Sequence, residues 1–347
     1  MIELGLITFA DVEPETLPGR AINAHQRIKD LMEEIQLADQ LGLDVFGVGE
    51  HHREDYAVSS PAVILGAAAA ITKNIKLTSA VTVLSSDDPV RVFQDFSTVD
   101  LLSGGRAEIM AGRGSFIESY PLFGYDLQDY DELFTEKLEL LMKLNKKEKV
   151  SWKGKHRPSF QNLGVYPRPY QPSIPIWLAA GGTPASAVRG ATLGLPLMLA
   201  IIGGMPEQFV PFIDLYKETA KKTGKDISAL QLGVNNHVYV SEDSQQAGDE
   251  FFPHYATMMN RVGRDRGWAP LTRPQFDHSR SPKGALMVGS VQQVIDKILY
   301  EHELFSFTRF FAQASVGNVP HKMTMKSIEL FGTKVAPEVR KAINSKK

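Results

Sequence analysis

Three short groups of residues have the types and spacing to do chemistry. Glu50-His51-His52 sets a carboxylate beside two imidazoles. Imidazole is the side chain suited to move a proton near neutral pH, and a carboxylate can orient it. On an extended segment the two histidines point to opposite faces, so one should face a pocket and the pair should not converge on one ion. His237 is the other well-placed imidazole, too few ligands for a hydrolytic metal centre, and no metal is expected. Gly112-Arg113-Gly114 couples a fixed positive charge to a backbone that can approach a ligand closely, which makes Arg113 a candidate anion binder. The third group is Ala179-Ala180-Gly181-Gly182-Thr183-Pro184-Ala185-Ser186. It combines a strand end, two glycines, a hydroxyl at a helix cap and a proline suited to the first helical turn. The backbone N–H groups and positive end of such a helix suit a phosphate, with Thr183 and Ser186 as further donors. A plain strand-to-helix turn capped by Thr183 satisfies the same residues.

These groups need elements to hold them. Short β-rich runs alternate with segments of helical period. Strands are predicted at Ile2–Phe9, Asp44–Gly49, Ile75–Leu84, Ala107–Ala111, Ile174–Ala180, Leu195–Ile202, Gln231–Val240 and Phe307–Ala314. A loop containing Pro14 and Pro18 ends the first. Helices are predicted over 21–41, from Ser59 or Ser60 to about Thr72, and over Pro89–Leu102, Tyr130–Lys147, Pro184–Leu193, Pro206 to about Thr223, Ser290 to about Leu304, and Pro320 onward. Residues 148–173, with four prolines, suit an excursion or hairpin, and the Arg-, Pro- and Gly-rich stretch 261–283 reads as a long loop. Ser85 to Pro89 reads as helix capping, and Trp177 and Phe46 as core. Eight strands alternating with helices, with no break in composition, predict a (β/α)8 barrel in a single domain over 1–347 rather than a doubly wound sheet. In such a barrel chemistry sits at the C-terminal ends of the strands, where all three groups fall.

Composition narrows the classes. The chain of 347 residues is 43% hydrophobic, enough to bury a large core, and 38 basic against 40 acidic side chains give no electrostatic reason to expect nucleic acid or an anionic membrane. Zero Cys removes disulfides, thiolate metal sites and Cys nucleophiles together. With no secretory pattern at Met1 to Gly5 and no apolar run of about 18 residues, the expectation is a soluble, cytoplasmic protein.

Taken in order, Glu50-His51-His52, Lys73 to Leu84 (Lys-Asn-Ile-Lys-Leu-Thr-Ser-Ala-Val-Thr-Val-Leu), Asp88-Pro-Val-Arg91, Asp100 to Arg106 (Asp-Leu-Leu-Ser-Gly-Gly-Arg), Gly112-Arg-Gly114, Gly181-Gly182-Thr183, Gly194-Leu-Pro196 and Val288 to Ile298 resemble the bacterial luciferase-like flavin monooxygenase family. Each motif alone is unspecific, whereas the ordered set covers nearly the whole chain. The resemblance implies FMN at the barrel mouth, delivered reduced by a separate flavin reductase, and reaction with O2 through a C4a-peroxyflavin to oxidise a small organic substrate. It implies His51 as the active-site histidine with His52 and Glu50 beside it, and a non-proline cis peptide at Ala80-Val81 under the flavin ring. It further implies cofactor contacts at Gly181 and Gly182, phosphate contacts at Arg113, Thr183 and Ser186, a lid in the region of 261–283, and a homodimer packed through early helices such as Ala62–Ala70. The reactive cysteine of light-emitting members falls at Gly112, so light emission is not implied. Two alternatives remain: an F420-dependent oxidoreductase built on the same barrel, and a flavin-binding protein without catalysis.

Overall fold

The computed structural model describes residues 2–12, 23–227 and 230–345. Pro14, Pro18 and the first residues of the helix expected over 21–41 lie outside them. In chain order, β1 (Glu3–Thr8) leads to α1 (Ala24–Gln40), and β2 (Val45–Val48) to α2 (Pro61–Ile71). β3 (Lys76–Ser79) resumes after two residues as β4 (Thr82–Val83), and α3 (Pro89–Ser103) returns the chain to β5 (Ala107–Gly112). The short α4 (Ser119–Leu122) and long α5 (Tyr130–Lys146) follow, then β6 (Lys149–Trp152) and β7 (Phe160–Gly164), which pair antiparallel outside the barrel. The alternation resumes with β8 (Ile176–Ala180), α6 (Pro184–Leu193), β9 (Leu197–Ala200), a 3-10 turn (Pro206–Phe209) running into α7 (Val210–Lys222), and β10 (Leu232–Ser241). Next come α8 (Ser244–Arg266), α9 (Arg273–Ser279), β11 (Met287–Ser290), α10 (Val291–Phe305), β12 (Arg309–Ser315), α11 (His321–Leu330) and, after a π segment (Phe331–Val335), α12 (Ala336–Asn344). β12, β1, β2, β3, β5, β8, β9 and β10 form a parallel ring that closes between β10 and β12. The expected eight-stranded (β/α)8 barrel is the fold.

Local chemistry accounts for the helix ends. Asp88 caps α3, its side chain accepting from the Val90 N–H at 2.8 Å, and Gly104 ends the helix at φ 67°. Ser290 and Gln293 form a capping box at the start of α10. The barrel interior is a cluster of its own, with Ile7, Val45, Met110, Trp177, Met198 and Phe311 packed together. Gly233 makes room for it, since a Cβ there would lie 2.2 Å from Met198 Cε.

Two expectations are corrected. The stretch 261–283 is not a loop: its first residues are the last turns of α8, ended by Gly267 at φ 70°, and Arg273–Ser279 is a helix with a Thr272–Gln275 capping box. Pro253, Gly248 and Gly263 weaken the local helix signal. The helix holds because Ala247, Phe251, Tyr255 and Met258 recur at helical spacing and pack on Tyr239, Phe276 and Val288. The predicted strand over 75–84 is two strands, because its ladder is interrupted at Ala80-Val81.

Candidate active site

The C-terminal ends of the strands surround a cavity of about 360 Å³. Its walls are mainly apolar: Ile7, Phe9, Val81, Met110, Met198 and Phe311 all face it. Polar groups enter at three places, and the first is the end of β2.

Glu50 is buried and both of its oxygens are engaged. Oε2 accepts from the Val83 N–H at 2.9 Å, tying the end of β2 to β4, and Oε1 is 2.9 Å from His52 Nε2. The carboxylate therefore holds His52, whose ring stands edge-on to Phe123, rather than His51. His51 turns the other way and faces the cavity, stacked on Tyr56 at 4.0 Å and against Phe9 and Phe116. The two histidines diverge as their adjacency predicts. Burial, helped by the charges of His52 and Arg53, pushes the His51 imidazole down to about 3, so it is neutral and does not titrate near its ordinary value. Its Nδ1 is buried with no hydrogen-bond partner among the described residues. The apolar rings that cause this shift come from three separate loops, which the expectation of a near-neutral pKa did not include.

The second place is the end of β5 and the start of α6. Arg113 Nη2 donates to Thr183 Oγ1 and Ser186 Oγ, each at 3.3 Å, and those hydroxyls lie 2.9 Å apart. All three residues expected to hold a phosphate are in contact. Arg113 Nη1 donates to Asp131 at 2.7 Å, and Arg189, one turn along α6 from Ser186, lies 3.8 Å from the same carboxylate. Burial and the nearby charge of Arg113 hold Arg189 below its usual pKa, the mark of positive charge that an anion would relieve. Neither Asp131 nor Arg189 was singled out from the sequence, although the three-residue spacing of Ser186 and Arg189 puts both on one helix face. Gly181 lines the cavity, and a Cβ there would meet open space. Gly182, at φ 98°, is not among the lining residues and packs toward Phe209. The Thr183 side chain makes no capping hydrogen bond to the amides at the start of α6.

The third place is the wall of β10 and β12, where Asn235, His237 and Gln313 face inward. Between the places lie Ala80 and Val81, joined by a cis peptide and both lining the cavity. The mouth is roofed by the loops after β2 and β5 and by the end of α8. Arg53 donates to Asp55 and Asp265 at 3.0 Å each and to Glu118, and Arg261 pairs with Asp55 at 3.1 Å. Among the described residues, three potential metal ligands converge only at Asp129, Glu132 and His156, where Lys155 already pairs with Glu132.

A sequence model of the luciferase-like monooxygenases matches residues 2–306. The chain belongs to the luciferase-like monooxygenase family. The alkanal monooxygenase alpha chain of Aliivibrio fischeri is 25% identical over 324 residues, covering 86% of this chain and 89% of that one. Among solved structures, the oxygenating constituent of 3,6-diketocamphane monooxygenase from Pseudomonas putida, in complex with FMN, superposes with a TM-score of 0.76 at 20% identity, covering 97% of this chain and 98% of that one. An F420-dependent secondary alcohol dehydrogenase holding an F420–acetone adduct gives 0.77 at 18% identity, covering 98% and 99%. This luciferase-like monooxygenase is thus an oxidoreductase by family, and its relatives divide between FMN and F420.

Gly112 bears on the missing thiol. A Cβ at this position would lie 2.6 Å from Val81 Cγ2, so no side chain fits while Val81 keeps its place. Gly112→Cys is expected to lower stability by about 1–3 kcal/mol through overpacking, and Val81→Ala in the same chain to restore only part of it, because the Cβ of residue 81, 2.9 Å away, remains. Denaturant midpoints of the single and double variants check this, and additive losses would show that the two side chains do not compete.

Proposed function

We propose that this luciferase-like monooxygenase uses reduced FMN and O2 to oxygenate a small organic substrate. The observation that carries the reading is the cluster in which Arg113 and Thr183, both lining an apolar cavity, meet the buried Ser186 behind them. A charged, hydroxyl-bearing rim beside apolar walls suits a flat ring system with a phosphate tail. Reduced FMN supplies two electrons to O2, so that one oxygen atom enters the substrate and the other leaves as water. Arg113, Thr183 and Ser186 bind the phosphate, with Arg189 behind them, and Gly181 lets the backbone come close. Ala80 and Val81 give an apolar face for the ring. Phe9, Tyr56 and Phe116 cover His51 and keep water from it. Neutral His51 presents one hydrogen-bonding nitrogen to the cavity, and Glu50 braces His52 and the β4 backbone around it.

The same proposal takes the protein as cytoplasmic, supplied by a separate flavin reductase and working as a homodimer. Val63 on α2 and Leu101 and Leu102 at the end of α3 are exposed and offer an apolar face for a second copy. No helix among the described residues is long and apolar enough to cross a membrane.

Rapid mixing of the FMNH2-loaded protein with O2, followed by absorbance, tests the function. The reading requires oxygen-dependent changes at the flavin that a bound substrate alters. Tight F420 binding with none of FMN would replace it with hydride transfer, and unproductive oxidation with every aldehyde, alkane or sulfonate supplied would leave a flavin carrier.

The His51 shift gives a pH expectation. kcat/KM should show no inflection from His51 between roughly pH 5 and 8, because the imidazole stays neutral there. Its folded pKa lies below its unfolded one, so between the two the unfolded chain binds more protons. The stability tied to neutral His51 is complete above about pH 6.5 and is lost as pH falls toward 3. His51→Asn should make unfolding less acid-sensitive over that window while lowering turnover, as read from denaturation midpoints and steady-state rates. Unchanged turnover would remove His51 from the chemistry.

A further inference from the structure

The polar wall of β10 and β12 is left over once the phosphate and the ring are placed. His237 and Gln313 are direct register partners on these neighbouring parallel strands. Side chains at such positions stand next to each other on one face of the sheet, and both line the cavity. Each is deeply buried, at 5% and 2% exposure. Each also holds a buried polar atom with no partner among the described residues: Nδ1 of His237 and Oε1 of Gln313. Asn235, one inward position earlier, differs in that its amide donates to the Phe311 carbonyl at 3.3 Å. Buried polar atoms are normally paired, and two unpaired ones on neighbouring side chains that line a cavity need a complement that a small side-chain adjustment would bring within reach.

We infer that His237 and Gln313 together bind one hydroxyl group of an otherwise apolar, uncharged substrate. The inference rests on the oxygenase reading of the same cavity. A hydroxyl satisfies both atoms at once, donating its proton to Gln313 Oε1 and accepting from the His237 Nδ1–H tautomer. A carbonyl oxygen satisfies only the donor, and a hydrocarbon satisfies neither and leaves both buried without a partner. A carboxylate finds no cation here. Burial alone pushes His237 down to about 4, with no charged group acting on it, while Arg113 belongs to the edge with Thr183 and Ser186 that the phosphate of FMN takes. The neighbours Ile7, Phe9, Met198 and Ile202 set the apolar body.

The test compares cyclohexanol, cyclohexanone, methylcyclohexane and cyclohexanecarboxylate as probes of the FMN-loaded protein, read by the perturbation of the flavin absorption. Cyclohexanol should bind at least about tenfold more tightly than methylcyclohexane and the carboxylate, the equivalent of one hydrogen bond, and more tightly than the ketone. In His237→Phe or Gln313→Met that preference should fall to within about threefold, with the FMN dissociation constant unchanged within about twofold. Thermal unfolding should be unchanged or raised in Gln313→Met, because a buried acceptor without a partner is removed. Should one variant fail to fold, the other carries the comparison. Equal or tighter binding of the ketone, hydrocarbon or carboxylate overturns the inference, as does a preference that survives in the variants. A parallel loss of FMN affinity would assign the pair to the cofactor and overturn it too. If FMN does not bind the unaltered protein, the oxygenase reading has failed separately, and thermal shifts of the flavin-free protein with the same four probes decide the hydroxyl preference alone.

Discussion

Arg113→Ala is expected to raise the dissociation constant for FMN by about one to two orders of magnitude and to leave riboflavin binding within about twofold. The two ligands differ by the phosphate alone, so their ratio isolates the cluster at α6 from the apolar walls. In the protein the guanidinium is already fixed, with Asp131 on one nitrogen, Thr183 and Ser186 on another, and the Tyr130 ring 5.1 Å beneath it. A fork held in this way meets an anion with little further ordering, which is where a charge-assisted hydrogen bond gains its strength. Its removal leaves Arg189 as the nearest cation, itself 3.8 Å from Asp131. Arg113→Lys should recover only part of the loss, since a point charge cannot hold Asp131 and a phosphate in the same geometry. Parallel weakening of FMN and riboflavin, followed by fluorescence titration, would place the phosphate elsewhere.

The sequence carries the barrel because each of its strands is a short apolar run between strong turn signals, and those signals are local. Where the structure departs from it, the cause is long-range. α8 contains Pro253 and two glycines and is held by Phe251 and Tyr255 packing on Tyr239 and Phe276. β11 exists because Met287 to Ser290 lie against the last four residues of β10, beyond the barrel proper. The break between Ser79 and Thr82 leaves no mark in the local pattern of a run rich in β-branched residues, and only the family resemblance points to Ala80-Val81. Within the site, Arg113, Thr183 and Ser186 announce themselves through glycines and a helix start. Asp131 and Arg189 sit inside regular helices where one charge looks like another. The neutrality of His51 was the least legible feature, because it depends on Phe9, Tyr56 and Phe116 meeting over one ring.

Glu108→Ala is expected to cost about 3–5 kcal/mol of stability, the largest effect of any single substitution considered. Glu108 and Arg309 lie inside the barrel, at the opposite end from the cavity, at 4% and 2% side-chain exposure. Arg309 grips the carboxylate with two nitrogens, at 2.5 and 3.0 Å, and donates from Nε to Glu3 at 2.7 Å, while Lys76 pairs with Glu3 at 2.5 Å. Two cations and two carboxylates balance. Removing Glu108 leaves a buried guanidinium whose remaining carboxylate, Glu3, is partly exposed and shared with Lys76, so much of the desolvation cost of Arg309 is no longer offset. The Trp177 ring, 4.2 Å from the guanidinium carbon, cannot replace a charge. Glu108→Leu with Arg309→Met should return the denaturation midpoint close to that of the unaltered protein, since an ion pair replaced whole by apolar groups leaves nothing unpaired. Trp177 packs against Met110, Met198 and Phe311, which line the cavity from below. The single variant should therefore weaken FMN binding as well, and the double variant should restore it along with stability. A loss below about 1 kcal/mol in Glu108→Ala, read from denaturant unfolding, would mean that water reaches Arg309 and that the barrel floor is not closed.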